Sequence, residues 1–511
     1  MGSKDAEVMK EGIIMKKLMT LALAAAMMLG AATGANAIDF KAKGQWIMSF
    51  DYGMHGNFGE SKAKNNSGFK NEDEFEARQR VRLQLDAVAS EALSGTVFFE
   101  IGDQVWGDND NGGALGADGK VVELKRAYID WMVPQTDLKV RMGIQGIALP
   151  SFTTNASQIM DDDVAAISLN YQFNENVGLT AFWARPYNDN GGYSSRWDTD
   201  YDKNYMDNMD MFAVLLPLTF DGVKVTPWVM YAAMGPGMFD NLEKDHGNAW
   251  GRASAGMVSG FTGTDPLDTY GNAFWAGVTG EVTYWDPFRI AWDVNYGSAS
   301  YADEKMNREG WLASLLLEYK LDWGTPGLYG WYSTGDDNNP KNGSERMPVV
   351  SANGNNGFSN FAFNGNPYIA REGILGSTMV GTWGIGARLK DVSFLEDLKH
   401  TLRVNFMGGT NAPKMAKYVS HNSFKDSASV TQYGTSYDPM YLTTDDYALE
   451  IGLTNTYKMY DNFTIMLDAA YVALWLDDST STWGKNPGRS ALGGDGVYDA
   501  WNVNLSFVYS F

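Results

Sequence analysis

The chain is expected to fold as an all-β, antiparallel transmembrane barrel of 18 strands, with 16 as the alternative count. Short periplasmic turns would close one rim and long external loops the other. Three observations lead there. The segment Val497 to Phe511 alternates cleanly, with Trp501, Val503, Leu505, Phe507, Tyr509 and Phe511 on one face and Asn502, Asn504, Ser506, Val508 and Ser510 on the other. Strand side chains alternate between faces, so this is a strand with a greasy side for lipid and a mostly polar side for water. An export leader is present, yet no later apolar run is long enough for a spanning helix. Strand-like runs are joined alternately by tight turns and by long polar connections, and only a helix or a closed barrel can satisfy its backbone inside a bilayer.

Taken in order, residues 1–14 read as an upstream extension ahead of a natural start at Met15. Residues 15–37 read as a signal peptide: Lys16 and Lys17, an apolar run from Leu18 to about Gly34, then Ala35-Asn36-Ala37 as the cleavage site. An anchor helix is the competing reading, but the run is short, rich in Ala and Gly, and ends in a processing signal. Residues 38–511 form the barrel domain, placed in the outer membrane after cleavage near Ala37.

The first strand sets Phe40, Ala42, Gly44, Trp46, Met48, Phe50 and Tyr52 against Lys41, Lys43, Gln45, Ser49 and Asp51. The second sets Glu76, Arg78, Arg80, Arg82, Gln84 and Asp86 against Ala77, Val81, Leu83 and Leu85. Lys139, Arg141, Gly143 and Gln145 oppose Leu138, Val140, Met142 and Ile144. Phe288 to Tyr296 and Leu402 to Phe406 alternate in the same way. Tight turns are expected near Ser90-Glu91, Pro134 to Thr136, Asn174 to Asn176, Asp221-Gly222, Asp286-Pro287, Gly324 to Pro326, Val392 to Glu396 and Tyr460 to Asn462. Long loops are expected near 55–71, 104–119, 148–163, 188–206, 235–270, 335–376, 410–442 and 477–496, with a short one near 300–307. The runs at 207–220 and 326–334 carry the weakest alternation, which is why 16 stays open. Either count leaves an aqueous lumen.

The net charge of −22 becomes −23 once residues 1–37 leave, since four lysines (4, 10, 16, 17) and three acids (5, 7, 11) go with them. Such acidity excludes nucleic acid as a partner. Without cysteine there is neither a disulfide framework nor a thiol metal site.

Arg78, Arg80 and Arg82 recur every second residue, so they share one face. An arginine facing lipid at mid-bilayer costs about 2–4 kcal/mol, so the ladder is expected to face the lumen. It would form a positive wall for anions or a structural ladder neutralised by Glu76, Glu100 or Asp86, and the two are compatible. Lys41, Lys43, Arg126, Lys139 and Arg141 extend the same basic side.

The leader MKKLMTLALAAAMMLGAATGANA, the start IDFKAKGQW, the strand EFEARQRVRLQLD and the aromatic C-terminal strand together resemble the outer-membrane homotrimeric porins of sulfate-reducing bacteria. That resemblance covers the whole mature chain. It implies a trimer of barrels in outer-membrane lipid and lipopolysaccharide, each with its own channel for small hydrophilic solutes. It also implies insertion by the barrel-assembly machinery, which reads an aromatic terminus, here Tyr509 and Phe511. In general porins the third external loop folds inward. On that likeness the stretch Pro150 to Asp163 would constrict the lumen and set Asp161, Asp162 and Asp163 against the arginine wall. An ordinary solvated loop ending in a strand-capping acid run is the alternative.

No cofactor is expected. Asp108-Asn109-Asp110-Asn111-Gly112 lacks the third acidic position and closing Glu of a calcium loop, so acidic external loops would collect divalent cations only adventitiously. The four histidines are scattered and no catalytic motif is present, so no enzyme is expected. The leading function is passive diffusion of small hydrophilic solutes with an anion bias. A substrate-specific channel for a saccharide or a small carboxylate or sulfonate would need a regular track, and Phe182, Trp228 and Trp275 are irregularly spaced. A secreted soluble β protein lacks support from any internal repeat.

Overall fold

A computed structural model describes residues 38–54, 74–109, 112–117, 119, 122–188, 208–235, 256–259, 270–351, 357–363, 365–368, 373–416, 440–477 and 498–511. The upstream extension, the leader and its cleavage site lie outside the described residues, as do most of the loops expected at 55–71, 188–206, 235–270, 410–442 and 477–496.

Nineteen strand segments follow one another: β1 (Asp39–Met54), β2 (Glu74–Ser90), β3 (Leu93–Val105), β4 (Glu123–Met132), β5 (Lys139–Ala148), β6 (Asp161–Gln172), β7 (Gly178–Asn188), β8 (Asn208–Leu215), β9 (Leu218–Phe220), β10 (Val223–Met234), β11 (Gly271–Val282), β12 (Phe288–Ser300), β13 (Arg308–Tyr319), β14 (Thr325–Ser333), β15 (Thr382–Leu395), β16 (Leu398–Gly409), β17 (Tyr447–Tyr460), β18 (Phe463–Trp475) and β19 (Ala500–Ser510). Each pairs antiparallel with its neighbours, and β19 returns to β1, with Gln45 opposite Ser510 and Met54 opposite Trp501. The sheet is therefore closed. Segments β8 and β9 both pair with β10, so they are two halves of one strand and the barrel has eighteen. Pro217 explains the break, because it has no N–H to give the ladder.

Alternation decides which face looks out. On β8, Met209, Met211, Ala213 and Leu215 are buried while Phe212 and Val214 are exposed. The same inversion of a soluble protein recurs at Phe274, Val278, Leu315, Leu328, Ile385, Leu402, Val404, Ile451 and Leu453, all exposed on the outer wall. An apolar surface of that extent fits hydrocarbon. Turns of two to six residues close the rim that carries Ser90, Pro134, Asn174, Asp221, Asp286, Asp322, Glu396 and Asp461, and both termini of the barrel lie there. The turn expected at Val392 to Glu396 is narrower than that, since β15 continues through a bulged pairing to Leu395.

The interior departs from a simple water-filled lumen. Two connections from the long-loop rim, 149–160 and the described parts of 344–381, fold inward and pack on the wall. Leu149, Ile159, Met160, Met347, Val349, Phe358, Phe361, Phe363, Leu375 and Met379 are all buried in one cluster. That cluster takes wall residues from β5 to β8, β10 to β14 and β16 to β19, among them Trp228, Trp275 and Phe182, but none from β1 to β4. So the stretch 335–376, expected as an external loop, is in large part an internal one. Methionines at 209, 211, 230, 234, 257, 347, 379 and 407 fill the irregular space between wall and insert.

Candidate functional site

The side of the interior without that core is the candidate passage. Its floor is β2. Register places Gln45 opposite Arg82, Ile47 opposite Arg80 and Ser49 opposite Arg78. Ile47 packs with Val508 beneath Tyr368 of the inward segment, so this face of β1 and β2 looks into the barrel. Arg78, Arg80 and Arg82 therefore share the inner face, as do Lys41 and Lys43 on β1.

Every one of these cations has a carboxylate. Arg78 pairs with Glu76. Arg80 grips Asp103 on β3 through Nε at 2.6 Å and Nη2 at 2.7 Å, and stands 3.9 Å from Glu100. Arg82 Nε donates to Glu100 at 2.6 Å. Lys125 then links Glu100, at 3.8 Å, to Asp163, at 2.9 Å, and Asp163 accepts from Arg126 Nε at 2.5 Å. On β4 and β5, Asp130 accepts from Arg141 at 2.6 and 2.8 Å and pairs with Lys139 at 3.0 Å. The Arg141 guanidinium also lies 4.0 Å over the Tyr128 ring. Lys43 stands 3.9 Å from Asp86 and Lys41 3.6 Å from Asp39. In these pairs nine cations share seven carboxylates, and buried Asp51 lies beside Arg78 as well. With Glu123 opposite Glu100 on the same face, the carboxylates of the arc match its cations in number, so it is a ladder of alternating sign, not a bare positive wall.

The acid run sits differently from its expectation. Asp161, Asp162 and Asp163 open β6 opposite Ala148, Ile147 and Gly146, so they cap a strand while the inward loop is the stretch before them. Asp162 accepts from Ser351 Oγ at 2.6 Å, and the Asp161 N–H donates to the Ser351 carbonyl at 2.7 Å. Asp163 joins the basic ladder directly rather than facing it from across the lumen. The reason is local: a β strand places a carboxylate beside its neighbour's guanidinium at bonding distance, where pairing outcompetes a gap across water.

The residues absent from the sequence reading are Asp103, Lys125 and Asp130, and a second charged set beneath the insert. There Lys224, Glu281, Arg289, Glu318 and Arg388 form a chain across five strand segments at 2.9, 2.8, 2.8 and 2.7 Å. The signal was present for Asp130, which lies opposite Arg141, whereas Asp103 and Lys125 reach the same face only through register shifts of β3 against β2 and β4. Of the calcium-like stretch, Asp110 and Asn111 lie outside the described residues. No group of three metal-binding side chains occurs among the described residues.

At the seam, Gly44 and Phe511 exchange both backbone hydrogen bonds, at 2.9 and 3.0 Å. Gly44 is needed because the Phe511 ring lies where a Cβ would project. Trp46, Tyr509 and Phe511 stack there, with centroids 5.3 to 6.0 Å apart.

No protein-family model matches the chain, and no curated protein sequence does. Solved structures similar to it include three from Pseudomonas aeruginosa. OpdQ is 11% identical with a TM-score of 0.49, over 93% of this chain and 98% of that one. OprD is 9% identical with a TM-score of 0.47, over 92% and 95%. OpdL is 10% identical with a TM-score of 0.47, over 93% and 98%. At such identities the likeness is one of fold alone.

Proposed function

We propose that the chain is an outer-membrane channel through which small hydrophilic solutes diffuse passively. The observation that carries this is the half-filled interior. The barrel is closed, its outer wall is apolar, and the arc from β1 to β4 contributes nothing to the packed core while presenting paired charges. Charged groups of that density are stable inside a barrel only beside water.

The run of guanidinium and ammonium groups on one inner arc is the ground for proposing a weak anion bias carried by Arg78, Arg80 and Arg82, with Lys41, Lys43, Arg126, Lys139 and Arg141 contributing. Strong selectivity is not expected of a ladder whose rungs neutralise one another. In this reading the leader is removed near Ala37 and the barrel-assembly machinery engages Tyr509 and Phe511. Three copies then associate in lipid and lipopolysaccharide.

The test is a planar bilayer under a salt gradient. Arg80→Glu places a third carboxylate beside Asp103 and Glu100, so the reversal potential is expected to move toward cation preference. Unchanged selectivity would show that solutes do not pass along this wall.

A further inference from the structure

Two carboxylates on the inner wall hold the inward segments by their backbones. Asp293 of β12, 3% exposed, accepts from the N–H groups of Phe152 at 2.9 Å and Thr153 at 3.0 Å. It also accepts from the hydroxyls of Ser151, at 2.7 Å, and Thr153. Glu450 of β17, fully buried, receives three successive N–H groups at one oxygen: Asn360 at 2.9 Å, Phe361 at 2.7 Å and Ala362 at 3.1 Å. Ser359 Oγ adds a fourth bond there, and Asn405 Nδ2 satisfies the other oxygen at 2.9 Å.

Each carboxylate is matched by guanidinium groups that take the segment's carbonyls. Arg289 donates to Phe152 O at 2.8 Å, and Arg388 and Arg403 both donate to Gly357 O, at 3.1 and 3.2 Å. Wall and segment are thus joined at one spot by both signs of charge. Side chains of the segments add apolar packing and further bonds, such as Thr153 to Ser314 and Asn360 and Asn366 to Asp468, but the backbone bonds are charge-assisted, the strong kind. The segments are also tied together, since the Val350 and Ser351 N–H groups donate to Ile159 O at 3.0 Å and Met379 N–H to Gln158 Oε1 at 3.1 Å.

We propose that Asp293 and Glu450 are positioning residues that set the bore of the channel, each latching one inward segment to its own strand, β12 or β17, on the wall opposite the β2 to β4 charges. The proposal rests on the diffusion reading above. Releasing a latch lets its segment leave the wall, so the passage fluctuates between the resting bore and other widths.

The experiment compares the full-length mature barrel with Glu450→Gln, Asp293→Asn and the pair. Readouts are single-channel conductance, the size cut-off for neutral saccharides in liposome swelling, and amide exchange of residues 360–362 and 152–153. For each charge-assisted bond lost, the released fraction should rise about tenfold, equivalent to ~1.4 kcal/mol. New conductance levels, a shifted cut-off and faster exchange at the released segment are expected. Unchanged values for all three, in a barrel that still migrates as folded before boiling, would overturn the proposal. Should Glu450→Gln fail to close its barrel, Ser359→Ala removes one donor from the segment side. Gly452→Ala, by placing a Cβ against Asn360 Oδ1, strains the same latch. A silent wild-type channel would sink the diffusion reading, and amide exchange would still decide the latch.

Discussion

Asp336 shows how much one buried carboxyl can be asked to carry. It lies fully buried in the segment after β14, accepts from Ser344 Oγ at 2.5 Å and Tyr441 Oη at 2.6 Å, and stands 3.8 Å from Arg346. Burial pushes its pKa up, against the pull of Arg346 and the two hydroxyls. A folded-state pKa above the unfolded value of about 3.9 means the group stabilises the fold fully below that value. That contribution is lost as pH rises through the raised value. Asp336→Asn is therefore expected to flatten the pH dependence of thermal stability above the ordinary aspartate range, read by melting in detergent at a series of pH values. A steepened dependence in the variant would show the sign to be wrong. The same scale explains why Glu76 and Glu100 could be named as partners of the arginine ladder but Asp103 could not. Spacing alone puts Arg78, Arg80 and Arg82 on one face, whereas choosing Asp103 over Glu100 for Arg80 depends on the register of β2 against β3, which shifts between Gln79 and Val81.

At the scale of the strand, the seam between β1 and β19 is the joint on which closure depends. Phe511 sits on Gly44, so Gly44→Val drives a side chain into an aromatic ring and the backbone of Arg82. Overpacking of that kind costs about 1–3 kcal/mol. The expected outcome is a lower yield of the compact, heat-modifiable form on unboiled gels, with a full yield showing that the ring simply moves aside. Period-2 alternation made the strands readable, including the weak runs at 326–334 and 207–220, which are β14 and the pair β8 and β9. The inward course of 344–381 was not readable. Its sequence is Gly- and Asn-rich like a solvated loop, and it is held by N–H groups of 360–362, which every residue but proline possesses. Only the position of Glu450 on a distant strand gives those groups a reason to turn in.

For the whole molecule, one side of the interior is a packed solid and the other a lattice of paired ions. These halves answer differently to their surroundings. Dispersion contacts in the packed half are indifferent to salt, but partly wetted ion pairs are screened as the Debye length falls to about 3 Å at 1 M. Brine would thus loosen the wetted arms along β2 to β5 and leave the buried apolar cluster as it is. On the diffusion reading, a molecule in transit would slide between a firm bank and a reedy one, and the stiffness of the reeds would be set by the water outside the cell.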